Sequence, residues 1–195
     1  SVQNKDGSIP WEMEKKLDPW DHIEAAMGLS IAGKKDEVEK AFLWLSDNQL
    51  KDGSWYAEYL NSLPVTHRKE TNFSAYIGTG LWHYYLIFKD KDFIENMLPT
   101  LSKALDFVLS MQTENGDIYW AFEEDKQISD DSLIAGSSSI YKSLECTAAI
   151  LNLFDKPVES IIVSMEKLKT SINNKPERYD RSWESKSRYS MDWYY

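Results

Sequence analysis

The sequence predicts an all-α protein folded as an incomplete α/α toroid, about three helical hairpins with an inner and an outer helix layer. Three observations predict it. Helical segments alternate between apolar on nearly every face and striped along one face. The links between them alternate between very short and long, the long ones running to about 20 to 25 residues. A local layout also recurs: an amphipathic helix runs into Gln, then into an acidic or amide residue plus Gly, then into aromatics. It occurs at Asn48-Gln49-Leu50-Lys51-Asp52-Gly53-Ser54-Trp55 and at Met111-Gln112-Thr113-Glu114-Asn115-Gly116-Asp117-Ile118-Tyr119-Trp120. A weaker copy is expected after Asn173, rich in aromatics but without Gln and Gly. Recurrence at about 60 residues marks one supersecondary unit repeated along a chain.

Each element has its own signal. Asp18-Pro19-Trp20-Asp21 opens the first helix, with Asp18 as cap, Pro19 in the first helical position and Asp21 as an acid in the first turn. This helix runs to about Ala32 and stops at Gly33. The second, from about Lys35 to Gln49, carries Val38, Ala41, Phe42 and Leu45 on one stripe. The third, from about Asn72 to Phe88, is apolar nearly all round. The fourth runs from about Asp92 to Met111, and Pro99 should kink or split it. The fifth covers about Ser138 to Phe154 and is again apolar on most faces. The sixth, about Val158 to Asn173, puts Val158, Ile161, Ile162, Met165 and Leu168 on one side.

A helix apolar on every face is buried on every face, so the odd helices form the inner layer and the even ones the outer. The long links then emerge together, at the end where the inner helices begin. Tyr189-Ser190-Met191-Asp192-Trp193-Tyr194-Tyr195 reads as the opening of a fourth inner helix. Residues 1–195 are therefore expected to form a single domain that is the amino-terminal part of a longer toroid, or one whose open edge a second copy covers as a homodimer.

Bulk properties narrow the function. Hydrophobic residues make up 42% of the chain and aromatics 13%, too many rings for disorder. A net charge of −10 without a Lys/Arg cluster disfavours nucleic acid and anionic membranes. No apolar run is long enough to span a bilayer. The single Cys146 rules out an internal disulfide and fits a reducing, cytoplasmic setting. His22, His67 and His83 lack metal-ligand spacing, so neither metal nor cofactor is expected.

The densest polar chemistry lies at the inner-helix starts. Asp21 and Glu24 are three apart, so both carboxylates share a helical face. Paired carboxylates beside aromatics are what acid/base cleavage of a glycosidic bond requires. Capping acids favoured by the helix dipole are the plain alternative. Glu24 stands among Ile23, Ala25, Ala26 and Met27, where a buried carboxylate needs a partner or a role. Glu70 and Asn72 stand at the start of the third helix, where Asn72 or Thr71 could equally be its cap. Ser137-Ser138-Ser139 at the start of the fifth could hold an anion or cap the helix. Trp20, Trp55, Trp82, Trp120 and Trp193 are placed at or near the long-loop end, with Trp55 expected to plug the gap between hairpins.

Gln49-Leu50-Lys51-Asp52-Gly53-Ser54-Trp55 is similar to the QW motif of the squalene-hopene cyclase and prenyltransferase repeat families, and Gln112 to Trp120 is a looser match. More of the chain resembles a bacterial group of uncharacterised prenyltransferase-like proteins. The blocks are Asp18 to Met27, Thr71-Asn72 with Tyr76 and Trp82-His83, Gly136-Ser137-Ser138-Ser139-Ile140-Tyr141, and Met191 to Tyr195. The resemblance implies an α/α toroid shared with terpene cyclases and six-hairpin glycosidases. It supplies no activity. The cyclase Asp-x-Asp-Asp block is absent, and Asp130-Asp131 lacks the third acid of a magnesium motif.

The function expected is a glycoside hydrolase-like enzyme acting on an oligosaccharide or small molecule. Its candidate catalytic residues are Asp21, Glu24, Glu70 and Asp192, with Trp20, His22, Asn72, Trp82, His83, Trp120 and Tyr141 binding substrate. An isoprenoid cyclase or transferase and a non-catalytic toroidal binding module are the rivals.

Overall fold

The computed structural model describes residues 2–13, 15–125 and 127–181. Six α-helices follow one another: α1 Pro19–Ile31, α2 Lys35–Asn48, α3 Thr71–Phe88, α4 Lys91–Ser110, α5 Ile134–Asn152 and α6 Glu159–Asn174. They pair as hairpins α1–α2, α3–α4 and α5–α6. The inner helices α1, α3 and α5 pack side by side with α3 central, and α2, α4 and α6 back them. This is the α/α toroid of three hairpins that the alternation predicts.

Local chemistry sets the boundaries of the first four helices. The Asp18 carboxylate accepts the Asp21 amide at 2.9 Å and caps α1, and Asp90 caps α4 through Phe93 at 3.0 Å. The α1–α2 turn passes through Gly33 in the left-handed region, and Lys89 takes the same conformation after α3. Pro99 does not split α4, which runs unbroken through it. Pro99 and Glu95, whose carbonyl loses its partner, both face solvent, while Met97, Leu101, Ala104 and Val108 hold both halves against the core.

The fifth helix begins four residues earlier than the serines suggest. Leu133 precedes it without a side-chain cap, and the Ile134 amide reaches Asp180, a carboxylate remote in sequence. The serines therefore lie inside the helix: Ser138 bonds back to Ile134 at 2.9 Å. In α6 the buried stripe is Ile161, Ser164, Leu168 and Ser171, and Ile162 faces solvent instead.

Inner helices approach closely where α3 has glycine. A Cβ at Gly78 would meet Thr147 and the Ser143 carbonyl of α5; one at Gly80 would meet Ile23 of α1 and Phe42 of α2. Ile77, Leu81 and Tyr84 of the same helix are fully buried.

Among the described residues five short strands, absent from the sequence-based expectation, stitch the long links together. β1 (Lys16–Leu17), β2 (Glu58–Leu60) and β3 (Leu63–Thr66) form an antiparallel sheet, and β4 (Lys69–Glu70) pairs with β5 (Ala121–Phe122). Asn61 and Ser62, both at positive φ, make the tight β2–β3 turn. The sheets tie the approach to α1 to that of α3, and the approach to α3 to that of α5.

The recurring Gln layout is a docking device. Gln49 donates to Gly53 at 2.9 Å and to Thr100 of α4 at 2.8 Å. Gln112 donates to Gly116 and to Ser164 of α6, each at 3.0 Å. A copy that the sequence reading missed opens the chain: Gln3 donates to Gly7 at 3.1 Å and to Glu37 of α2 at 2.8 Å. Most of the aromatics of the copy expected after Asn173 lie outside the described residues; after α6 these show a short 3₁₀ turn, Pro176–Arg178. Gly7, Gly53 and Gly116 all have positive φ, and a Cβ on them would strike the carbonyls of Lys40, Lys103 and Lys167. Behind the second turn Trp55 is buried, as expected of a plug, with its indole N–H on Leu45 at 2.8 Å.

Gly53→Ala is expected to destabilise the protein by about 3 kcal/mol or more, since it forces a left-handed alanine and lifts the turn off α4. Gly33→Ala, also at positive φ but with open space around it, should cost only about 1 kcal/mol. Urea unfolding midpoints of the two variants check the contrast.

Candidate active site

The inner-helix N-termini converge on a cleft of about 790 Å³. The approach to α1 supplies Trp11 and Asp18, and α1 itself Trp20 and Asp21; α3 supplies Asn72 and Phe73; α5 supplies residues of its first two turns, from Ala135 to Lys142. Of the sequence candidates, Asp21, Trp20 and Asn72 line it together.

Asp18 is nearly buried and already committed. One oxygen takes the Asp21 amide, and the other takes the Trp11 indole N–H at 2.7 Å. Asp21 lies one turn further along. Burial and then the neighbouring Asp18 charge push its carboxyl up to about 6, with Glu24 adding to the shift and Lys16 opposing it. A carboxyl that takes up its proton at about pH 6, well above the ordinary carboxylate range, is therefore presented to the cleft.

Glu24 is exposed, contrary to the buried setting expected from its apolar neighbours. It projects from the inner wall, where it accepts the Trp20 indole N–H at 2.9 Å and the Tyr76 hydroxyl at 3.3 Å. Trp20 stacks on Tyr76 with centroids 3.7 Å apart and planes 9° from parallel. The carboxylate and two rings thus form one rigid unit across α1 and α3.

The other candidates are placed elsewhere. Glu70 is buried beside the cleft rather than in it, and Arg68 holds it through Nε at 3.1 Å and Nη2 at 2.7 Å. Burial raises its pKa, Arg68 opposes the rise, and the Asp18 and Glu123 charges add to it. The same guanidinium lies 5.0 Å from the centre of the Trp120 ring, and Trp120 donates to Ser129 at 2.6 Å. Neither Asn72 nor Thr71 caps α3: Glu70 occupies the capping position without a side-chain bond, and Thr71 donates to Tyr119 at 2.8 Å.

His22 is fully buried and cannot meet substrate. Its Nδ1 accepts the Ile9 amide at 3.1 Å and its Nε2 faces the Ala41 carbonyl at 2.9 Å, bracing the N-terminal segment against α1 and α2. Trp82 and His83 stand roughly 16 Å down α3 from its start, too far to line this cleft. Trp82 packs on Tyr85 with centroids 5.6 Å apart, and burial lowers the His83 pKa. Tyr141 opens on a separate cavity of about 260 Å³ between α5 and α6. Asp192 and Trp193 lie outside the described residues. Among the described residues no group of three His, Cys, Asp or Glu side chains is arranged to hold a metal ion.

No family model matches the chain. It is 37% identical over 194 residues to an MMP endo-(1,4)-3-O-methyl-alpha-D-mannosidase of Mycolicibacterium hassiacum, covering all of this chain and 53% of that protein. Among solved structures it is similar to an unsaturated glucuronyl hydrolase specific for heparin, with TM-score 0.67, 17% identity, and coverage of 89% of this chain and 52% of the other. A family 105 glycoside hydrolase of C. acetobutylicum matches with TM-score 0.68 and 16% identity over 88% of this chain and 53% of that one. The fold is that of the α/α-toroid glycoside hydrolases. The chain spans about half the length of the curated relative it matches.

Two titrations test the electrostatics. Asp18→Asn keeps a capping oxygen but removes the charge beside Asp21, so the Asp21 pKa should fall from about 6; carboxyl carbon NMR reads it. His22 is held neutral, its pKa pushed down to about 4 by burial. The unfolded chain takes up a proton below the usual 6.5 while the folded one does not, so stability falls as pH drops from 6.5 to 4. The loss is up to about 3 kcal/mol. His22→Gln should flatten that part of the stability–pH curve.

Proposed function

We propose that this chain is part of a glycoside hydrolase in which Asp21 donates a proton to the glycosidic oxygen of an α-linked oligosaccharide. The observation that carries the reading is the Asp21 carboxyl, raised to about 6 and lining a cleft with the Trp20 ring at the open end of a toroid. Below that pH the acid is loaded. A second carboxylate must then be ionised to assist the sugar cation or to activate water. Glu24, fixed by Trp20 and Tyr76, and Asp192 are the residues assigned to that side. Glu70, tied to Arg68, is the positioning member of the set. The name of the M. hassiacum relative favours a mannoside, specifically a 3-O-methylated (1,4)-linked one.

Three hairpins wall only one side of such a site. The remaining wall is assigned to further hairpins of the same protein, with this chain as the amino-terminal part. The relative extending to almost twice this length supports that arrangement. A homodimer closing the open edge is the alternative. The aromatic wall of Trp20, Tyr76 and Phe73 also suits an isoprenoid, which keeps the prenyltransferase-like resemblance as a second reading. A non-catalytic binding toroid is the third.

In the full-length protein, Asp21→Asn should lower hydrolysis of α-(1,4)-linked, 3-O-methylated manno-oligosaccharides by about 10³-fold while substrate binding is kept. Product chromatography reads the first quantity and calorimetry the second. Unchanged turnover in Asp21→Asn would reject the assignment.

A further inference from the structure

Trp11 is a cleft residue that the sequence offered no reason to select, and its setting is unusual. It is 53% exposed, yet three ties fix it. The indole N–H donates to Asp18 at 2.7 Å, the backbone amide donates to Lys16 at 2.9 Å, and the Lys16 ammonium sits 4.2 Å from the ring centre. Lys16 is itself anchored by an ion pair with Glu58 of β2. An indole used for core packing would be buried, and one without a task would be free to rotate.

We propose that Trp11 is a sugar-stacking platform of this cleft, held in place by Asp18 and Lys16, so that the segment ahead of α1 forms part of the binding site. This rests on the reading of the cleft as a saccharide site. The argument is geometric. The ring lines the cleft and Lys16 does not, so the ammonium covers one face and the other is left for a ligand. Trp20 repeats the arrangement, with Tyr76 covering one of its faces. Both indoles turn their N–H to a carboxylate of α1 or its cap, Trp11 to Asp18 and Trp20 to Glu24. A ring clamped by its edge loses little entropy when the apolar C–H face of a pyranose settles on it. Asp18 also holds the Asp21 amide, so platform and proton donor are fixed by the same carboxylate.

The test separates the ring from its N–H. In full-length protein, calorimetry with an α-(1,4)-linked manno-oligosaccharide should show Trp11→Ala binding at least about fivefold more weakly, and Trp11→Phe within about twofold of the parent. Circular dichroism confirms that both variants fold. Equal affinity in parent and Trp11→Ala overturns the platform. So does Trp11→Phe binding as weakly as Trp11→Ala, which would trace the effect to the lost Asp18 bond. The two readings fail differently. Trp11-dependent binding without turnover would retain the platform and end the hydrolase. Asp21-dependent turnover with a KM indifferent to Trp11 would do the reverse.

Discussion

Three glutamine amides set the geometry on which everything else here rests. An amide carries two N–H donors at a fixed angle. Gln3, Gln49 and Gln112 each spend one on the glycine carbonyl four residues on, closing their own turn, and the other on a carbonyl of an outer helix. Three residues along that helix, the glycine lies directly on a second carbonyl, that of Lys40, Lys103 or Lys167. The contact is between backbones, so the helix side is free to vary: Glu37, Thr100 and Ser164 accept equivalent bonds. What cannot vary is the lack of a Cβ at the turn. Each hairpin is thereby placed against its neighbour at a set height, and the inner helices begin at a common level.

That level decides the chemistry. Three helix N-termini opening on one cleft would ordinarily favour ionised acids. Asp18 accepts two N–H groups, the Asp21 amide and the Trp11 indole. Asp21, one turn on, meets the opposite balance: water is partly excluded and the nearest charge is Asp18 itself. Two acids on the same turn thus take different parts, Asp18 as a structural cap and Asp21 as a carboxyl raised to about 6.

The helices were legible because each carries its own signal. Asp18-Pro19, Gly33 and the stripes of α2 and α4 act within one or two turns of where they are read. The failures share a different property. The start of α5 is fixed by Asp180, remote in the chain, and no local pattern announces that. Strands of two to four residues are too short for periodicity to register. His22 follows Asp21 directly, yet successive helical residues point a hundred degrees apart, and this one points inward to Ile9 and Ala41. Trp11 was missed because the segment containing it has no periodic structure. The Gln3 copy of the docking turn was readable in Gln3-Asn4-Lys5-Asp6-Gly7-Ser8-Ile9, which matches Gln49-Leu50-Lys51-Asp52-Gly53-Ser54-Trp55 at five of seven positions. Isoleucine in place of tryptophan at its end hid it.

Glu24 shows where the rule that an all-apolar helix is buried on every face stops applying. Ile23 and Ala26 beside it are fully buried, but Glu24 itself meets solvent. The inner layer of a toroid has a third side, neither backing helix nor neighbouring helix, and that side faces the axis. On α1 and α3 the rings there are Trp20 and Tyr76, both half-buried, and they direct their polar edges to Glu24. Tryptophan and tyrosine suit a surface that is apolar in bulk and hydrogen-bonding at its rim. A dry cavity for a hydrocarbon has no use for an exposed carboxylate held by two donors, because desolvating it would cost more than the rings return. A polyhydroxylated ring can replace the lost water bond for bond. The lining of the inner wall therefore weighs toward sugar on grounds of solvation, independently of any proton transfer at Asp21.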